Sequence, residues 1–211
     1  MGRNSSGKTC LNLRFVDDTF SQFHQRTSPL AFKLRRLENV RGKAVNFQIF
    51  ETEGSQSLAT YANCAFSVRN YKAIIFCYDI TDKQSLDDIP DMIKHNVFFS
   101  KNPEVQLYLL GTKSDLEEQR VVLTSDAIKF AEDNEITYLM EVSALQNIKV
   151  EEAFDRLAEL ILAQMGEIIL LPSKSARTGT DGSTHEPPKN KLEKEEDLQA
   201  NQNVSKHCAV C

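Results

Sequence analysis

The chain has 211 residues, 41% of them hydrophobic, enough to bury one domain of about 150–170 residues with some chain left over. Its formal net charge of −5 argues against a general nucleic-acid binder. No apolar run approaches the ~18–20 residues of a membrane-spanning helix and the N-terminus shows no apolar leader, so neither is expected.

The first stretch, Gly2-Arg3-Asn4-Ser5-Ser6-Gly7-Lys8-Thr9, spells G-x-x-x-x-G-K-T, the spacing of a phosphate-binding P-loop. Its glycines let the backbone curl so that successive N–H groups form an anion-binding nest, to which Asn4, Ser5 and Ser6 belong. Lys8 is expected to meet the β- and γ-phosphates of a nucleotide, and the Thr9 hydroxyl to bind Mg²⁺. The run Cys10, Leu11, Leu13, Phe15 suits a helix whose positive N-terminal end, at Cys10, faces those phosphates. Two features compete with this reading. Only Met1 precedes the loop, where a P-loop ordinarily follows a buried strand, and Met1-Gly2-x-x-x-Ser6 also fits an N-myristoylation signal. Gly2 cannot both carry a fatty acyl group and close a phosphate loop.

Residues 17–30 are polar and end in Ser28-Pro29, a loop. Segments 31–37 and 44–50 alternate apolar and polar around Asn39-Val40-Arg41-Gly42-Lys43, which predicts an antiparallel hairpin. A Gly54 loop and a helix-like segment over 57–70 follow. Ala73 to Tyr78 is a continuous apolar run ending at Asp79, the pattern of a buried parallel strand. Ser85 is expected to cap a helix over 86–100, with Pro90 in its early turns. Strand 105–110, helix 125–134, strand 137–142 and helix 149–165 complete an alternation that predicts an α/β domain with a mostly parallel sheet. Its ligand belongs at the carboxyl ends of the strands. Residues 173–207 are Ser, Thr, Gly, Pro, Lys and Glu with hardly an aliphatic side chain, so a disordered tail is expected.

Gly111-Thr112-Lys113-Ser114-Asp115 directly follows a predicted strand. An Asp there can accept from the N1–H and the N2 amino group of guanine, a pattern adenine does not offer, while the Lys113 stem covers the base. Glu141-Val142-Ser143-Ala144 follows the next strand and can offer the Ala144 N–H to guanine O6. Behind a P-loop, and after successive strands, the two motifs together point to guanine nucleotide.

On these residues the chain resembles the small GTPases of the Ras superfamily, specifically the Rab family, over residues 2 to about 165. Gly7-Lys8-Thr9-Cys10-Leu11-x-Leu13-Arg14-Phe15-x-Asp17-Asp18-Thr19-Phe20 and Tyr78-Asp79-Ile80-Thr81-Asp82-x-x-Ser85-Leu86 carry the likeness. It implies GTP/GDP and Mg²⁺ as ligands, Phe20 against the guanine, Thr27 as a second Mg²⁺ ligand and the Gly54 N–H at the γ-phosphate. The myristoylation reading then gives way. The family's first strand lies in the middle of its sheet, so the resemblance implies a P-loop small-GTPase fold, a mostly parallel sheet flanked by helices, lacking that strand. An open slot there would cost far more than the ~5–15 kcal/mol stability of a domain.

The chain also departs from the family. Glu51-Thr52-Glu53-Gly54-Ser55 stands where the family has Asp-Thr-Ala-Gly-Gln. Glu51 keeps a carboxylate for Mg²⁺, one methylene longer, but Ser55 is too short to orient the attacking water as glutamine does. Ser55 and Gly54 are thus the catalytic candidates of an enzyme expected to hydrolyse GTP slowly. The first switch reads Thr27-Ser28-Pro29-Leu30-Ala31-Phe32, Phe50 replaces a tryptophan, and Thr112 replaces an asparagine. Cys208 and Cys211 resemble the prenylated cysteines of Rab endings. The tail from Ser173 holds six basic and six acidic residues, so it gains nothing from anionic lipid and two prenyl groups are expected. The expectation is a GTPase domain over 1–170 and a flexible prenylated tail over 171–211. It acts as a vesicle-traffic switch on the cytoplasmic face of membranes, with a cytosolic pool. The resemblance implies an exchange factor, a GTPase-activating protein, a GDP-dissociation inhibitor and effectors as partners. The alternatives are a nucleotide-defective scaffold on the same fold or a non-functional shortened form.

Overall fold

The structure, a computed structural model, describes residues 1–21, 31–52, 54, 71–100, 104–166 and 206–210. Helix α1 (Lys8–Asp17) begins at Gly7, whose left-handed φ of 79° turns the loop into the helix. Its buried face, Leu11, Asn12 and Phe15, packs on the sheet, with Phe15 stacked on Phe154 and edge-on to Phe47.

Strands β1 (Ala31–Val40) and β2 (Lys43–Glu51) form the predicted hairpin. Arg41 and Gly42 both take positive φ, the two-residue turn whose twist matches the flanking strands, and Asn39 Oδ1 accepts from the Gly42 N–H at 3.0 Å. Along β2 every second residue is buried, namely Val45, Phe47, Ile49 and Glu51. The same alternation that makes the core therefore carries a carboxylate inward at the strand's last position.

Strand β3 (Ala73–Asp79) is buried at all seven residues. It sends Ala73, Ile75 and Cys77 to one core with α1 and the helix over Val150–Gln164, and Ile74, Phe76 and Tyr78 to the other. Two helices follow, α2 (Lys83–Asp87) and α3 (Ile89–Ser100), where a single helix over 86–100 capped by Ser85 was expected. Asp82 is the cap, its side chain accepting from the Gln84 N–H at 3.1 Å. Ser85 Oγ is instead committed to the strand end, accepting from the Asp79 N–H at 2.8 Å. Pro90 has no N–H to continue the α2 ladder, so the chain resets at Asp88 and the proline falls in the first turn of α3.

Strand β4 (Gln106–Thr112), helix α4 (Thr124–Asp133), strand β5 (Tyr138–Glu141) and helix α5 (Val150–Gln164) lie close to their predicted places. With a last strand, β6, at Lys206–Val210, the sheet order is β1-β2-β6-β3-β4-β5, all parallel except β1 against β2. The α/β architecture thus stands. Residues Lys206–Val210 form strand β6, which lies between β2 and β3. The expected helix over 57–70 and the tail over 171–205 lie outside the described residues.

Candidate nucleotide-binding site

The carboxyl ends of β2, β3, β4 and β5 meet at one edge of the sheet, where Glu51, Asp79, Thr112 and Glu141 stand and where the Gly2–Gly7 loop crosses. The loop is tightly seated. Gly2 has φ 145°, and a Cβ on it would stand 2.4 Å from the Cys77 carbonyl oxygen. Lys8 Nζ curls back over the loop, donating to the Gly2 and Arg3 carbonyls at 2.8 Å each. Burial pulls the Lys8 ammonium below the ordinary lysine range, opposed in part by Cys77 and Glu51. Thr9 Oγ1 donates to Glu51 Oε1, and Asn12 Nδ2 donates to Glu51 Oε2 at 3.1 Å. Cys10 turns its thiol toward the Ser21 carbonyl, which leaves its backbone N–H as its contribution at the helix start. Gly54 lies directly on the loop: a Cβ there would be 2.5 Å from Asn4 N. Asn4 and Ser5 are exposed, and Ser5 takes a positive φ of 66°.

On the other side, Thr112 joins three elements. Its hydroxyl lies 3.0 Å from both the Ser6 and Tyr78 carbonyls, and can donate to one at a time. Although shorter than the asparagine it replaces, this threonine reaches the phosphate loop, because Gly7 stands against it. Lys113, at φ 62°, pairs with Asp79 at 2.5 Å, and Asp79 Oδ1 in turn accepts from the Thr81 N–H and hydroxyl. Ser143 Oγ donates to Asp115 Oδ1 at 2.5 Å and accepts from the Gln146 N–H at 3.0 Å. Two reciprocal bonds between Ser143 and Ile148 close this loop. Asp115 Oδ1 is therefore held by Ser143.

Several residues of the site escaped the sequence reading. Arg14, on α1, donates to the Ala144 carbonyl at 2.8 Å and so ties the base-side loop to the phosphate-side helix. Arg120 grips Glu141 through both oxygens, at 2.8 and 2.7 Å, and Tyr78 Oη donates to the same carboxylate at 3.0 Å. Burial alone would raise the Glu141 pKa, but Arg120 and Tyr78 bring it below the usual carboxylate range. Burial and Glu141 push the Tyr78 phenol upward. Gly111 makes room for that phenol: a Cβ there would stand 2.6 Å from the Tyr78 ring. Asn12 was not singled out although it shares Glu51 with Thr9. Phe20 is partly buried. Thr27 and Ser55 lie outside the described residues, as does Cys211.

The donor set suits Mg²⁺. A hydroxyl and a carboxylate, both hard oxygen ligands, stand side by side at Thr9 and Glu51. No cluster of three or more His, Cys, Asp or Glu able to hold a metal occurs among the described residues.

Fold and site together define a P-loop GTPase of the Ras type. A model of the Ras family matches residues 1–163. Ras-related protein Rab-13 of Mesocricetus auratus is 35% identical over 166 residues, covering 79% of each chain. Ras-related protein Rab-10 of Diplobatis ommata is 36% identical over 162 residues, 77% of this chain and 78% of its own. GTP-binding protein YPTM1 of Zea mays is 34% identical over 209 residues, 99% of this chain and 92% of its own. The chain belongs to the Ras family and, within it, to the Rab small GTPases, a Rab-like GTP-binding protein of vesicle traffic.

Proposed function

We propose that the chain is a membrane-anchored GTP switch that hydrolyses GTP slowly and regulates a step of vesicle traffic. The observation that carries this reading is the meeting of two half-sites at one sheet edge. Lys8, Thr9 and Glu51 stand on the phosphate side, and Lys113, Asp115 and Ser143 on the base side. In the bound state Lys8 exchanges its loop carbonyls for the β- and γ-phosphates, and Thr9, Glu51 and Thr27 hold Mg²⁺, which neutralises phosphate charge. Asp115 accepts from guanine N1–H and N2, and the Ala144 N–H donates to O6. Phe20 covers the base edge. The Gly54 N–H meets the γ-phosphate, and its closeness to Asn4 gives loss of that phosphate a direct route to the second switch.

Ser55 cannot reach far enough to align water, and Glu53 adds negative charge beside the γ-phosphate. Residues 1–170 form the switch and 171–211 the tail, which carries lipid on Cys208 and Cys211 and holds the protein on the cytoplasmic face of membranes. An exchange factor, a GTPase-activating protein, a GDP-dissociation inhibitor and effectors are the partners of such a cycle.

Purification of the 1–211 chain, denaturation and chromatography of the released nucleotide test the core of this reading. About one guanine nucleotide per chain is expected. A chain that carries none is instead a scaffold on the same fold, the reading that Glu53 and Ser55 favour. Single-turnover GTP hydrolysis is expected to rise about tenfold or more in Ser55→Gln. Mutation of both Cys208 and Cys211 is expected to release the protein from membranes.

A further inference from the structure

Glu51 ends β2 with its side chain turned inward, because every second residue of that strand is buried. It is 6% exposed, and two side chains of α1 meet its carboxylate. Thr9 Oγ1 donates to one oxygen, Oε1, and Asn12 Nδ2 donates to the other, Oε2, at 3.1 Å. Thr9 and Asn12 are three residues apart, so one helix face presents both donors. Asn12 stands out on that face. The other buried residues of α1 are Leu11 and Phe15, and an amide only 9% exposed costs free energy unless its polar groups find partners.

We propose that Asn12 is a positioning residue of the Mg²⁺ site, holding Glu51 Oε2 so that Oε1 stays turned to Thr9. The proposal rests on the reading above, in which Thr9 and Glu51 hold the cation. A glutamate carboxylate hangs on one more torsion than an aspartate's, and its last torsion is broad. A second donor from the same helix as Thr9 removes that freedom. The chemistry of the pair is matched, since an ionised carboxylate only accepts and the amide Nδ2 only donates. Such a charge-assisted bond is stronger than one between neutral groups. Because Asn12 takes Oε2, Oε1 is the oxygen offered beside the Thr9 hydroxyl.

Both partners lie where the chain leaves the family pattern. Glu51 stands in place of an aspartate, and position 12 is the one break in the run from Gly7 to Phe15 that carries the likeness. The longer acid and the added donor thus form one compensated pair. Residues that orient a metal's own ligands typically alter metal affinity about 10–100-fold.

Release of a fluorescent GDP from the full 1–211 chain, followed while free Mg²⁺ is titrated from chelator to saturation, separates this role from a structural one. Asn12→Leu is expected to raise the Mg²⁺ concentration at half-effect about tenfold and to leave release in chelator within about twofold. An unshifted midpoint overturns the proposal. So does release that quickens equally in chelator and in Mg²⁺, since Asn12 then only supports the fold. In the Glu51→Asp background the carboxylate is too short to keep the Asn12 bond, and Asn12→Leu is expected to move the midpoint by no more than about twofold. A tenfold shift in both backgrounds overturns the pairing. Should Asn12→Leu not fold, Asn12→Ser, whose hydroxyl is set back from Oε2, carries the same titration. A native chain that retains no guanine nucleotide at any Mg²⁺ concentration overturns the switch reading and this role together. A native chain that responds to Mg²⁺, beside a variant with an unshifted midpoint, overturns this role alone.

Discussion

On the base side of the site, the key side chains are already held by other parts of the protein. Asp115 is turned by Ser143, Lys113 is paired with Asp79, the Ala144 loop is tied down by Arg14, and Glu141 is clamped by Arg120 and Tyr78. On the phosphate side, Lys8 bonds to carbonyls of its own loop, Thr9 and Glu51 hold each other, and the loop is seated against β3 at Gly2. The base half is thus preorganised by side-chain links between distant elements. The phosphate half is held by backbone seating, and on the proposed function its polar groups would exchange partners when phosphate arrives. Rigid selection of the base and a yielding phosphate side are what a switch requires.

The largest break of this contrast is Gly2→Ala. The new Cβ would press on the Cys77 carbonyl at 2.4 Å and would have to adopt a φ of 145°, so the loop cannot keep its place. A loss of at least about 3 kcal/mol in stability and of retained nucleotide is expected. Gly42→Ala is the control: its φ of 81° is also positive, but nothing stands within 4 Å, so only about 1–2 kcal/mol is expected. Equal losses by thermal denaturation would show that φ strain, not seating on β3, governs Gly2. Next comes Asp115→Ala on the base side. It is expected to weaken guanine-nucleotide binding about 10³-fold by titration calorimetry with little change in thermal stability, because the loop retains its Ser143–Ile148 bonds. A large loss of stability would mean that the base side is not independently held.

These two halves were unequally legible in the sequence. The phosphate loop, the hairpin, β3 and Thr112–Asp115 are local patterns, in which spacing along the chain fixes spacing in space. The ties that steady the base side are not local. Arg14 and Ala144 stand 130 residues apart, and only the folded sheet brings them within hydrogen-bond distance. Gly111 reads as part of a motif, while its need for a bare Cα comes from the Tyr78 ring on the neighbouring strand. The split of α2 from α3 had a local sign in Pro90, but the competition between Asp82 and Ser85 for the cap was decided by where β3 ends. Strand β6 was least legible. Five residues in a polar tail carry little strand signal, and their pairing with β2 is long-range.

A smaller effect is expected from Arg120→Met, and its pH dependence is the sharper readout. In the native chain the Glu141 pKa lies below its ordinary value, so this group's contribution is fully present above the unfolded carboxylate pKa of about 4.3 and fades as pH falls through the folded value. Without Arg120, burial is opposed only by the hydrogen bonds from Tyr78 and Thr124, so the folded pKa is expected to rise and the stability that the Glu141 charge contributes at neutral pH to shrink. The difference between the two proteins should be about 2–3 kcal/mol at pH 7 and shrink toward pH 4, measured by urea denaturation. A gap that is constant with pH would assign Arg120 to packing rather than to holding the Glu141 charge.

The smallest expected effect has the opposite sign and lies at the junction of the two halves. Ser6 is 1% exposed, and its hydroxyl has no hydrogen-bond partner among the described residues, although its carbonyl lies within reach of Thr112. A buried hydroxyl left unpaired carries its desolvation penalty without return, so its removal improves the fold if nothing else depends on it. Ser6→Ala keeps the backbone carbonyl that meets Thr112 and the N–H that donates to the Arg3 carbonyl at 3.2 Å. It is expected to raise stability by roughly 0.5–1 kcal/mol and to leave guanine-nucleotide affinity within about twofold. The side chain packs toward Gly2, with its Oγ 2.8 Å from where a Gly2 Cβ would stand. A destabilised Ser6→Ala would place a buried water between that hydroxyl and the β3 end. The loop's seating would then be hydrogen-bonded as well as steric, and the contrast between the two halves would narrow.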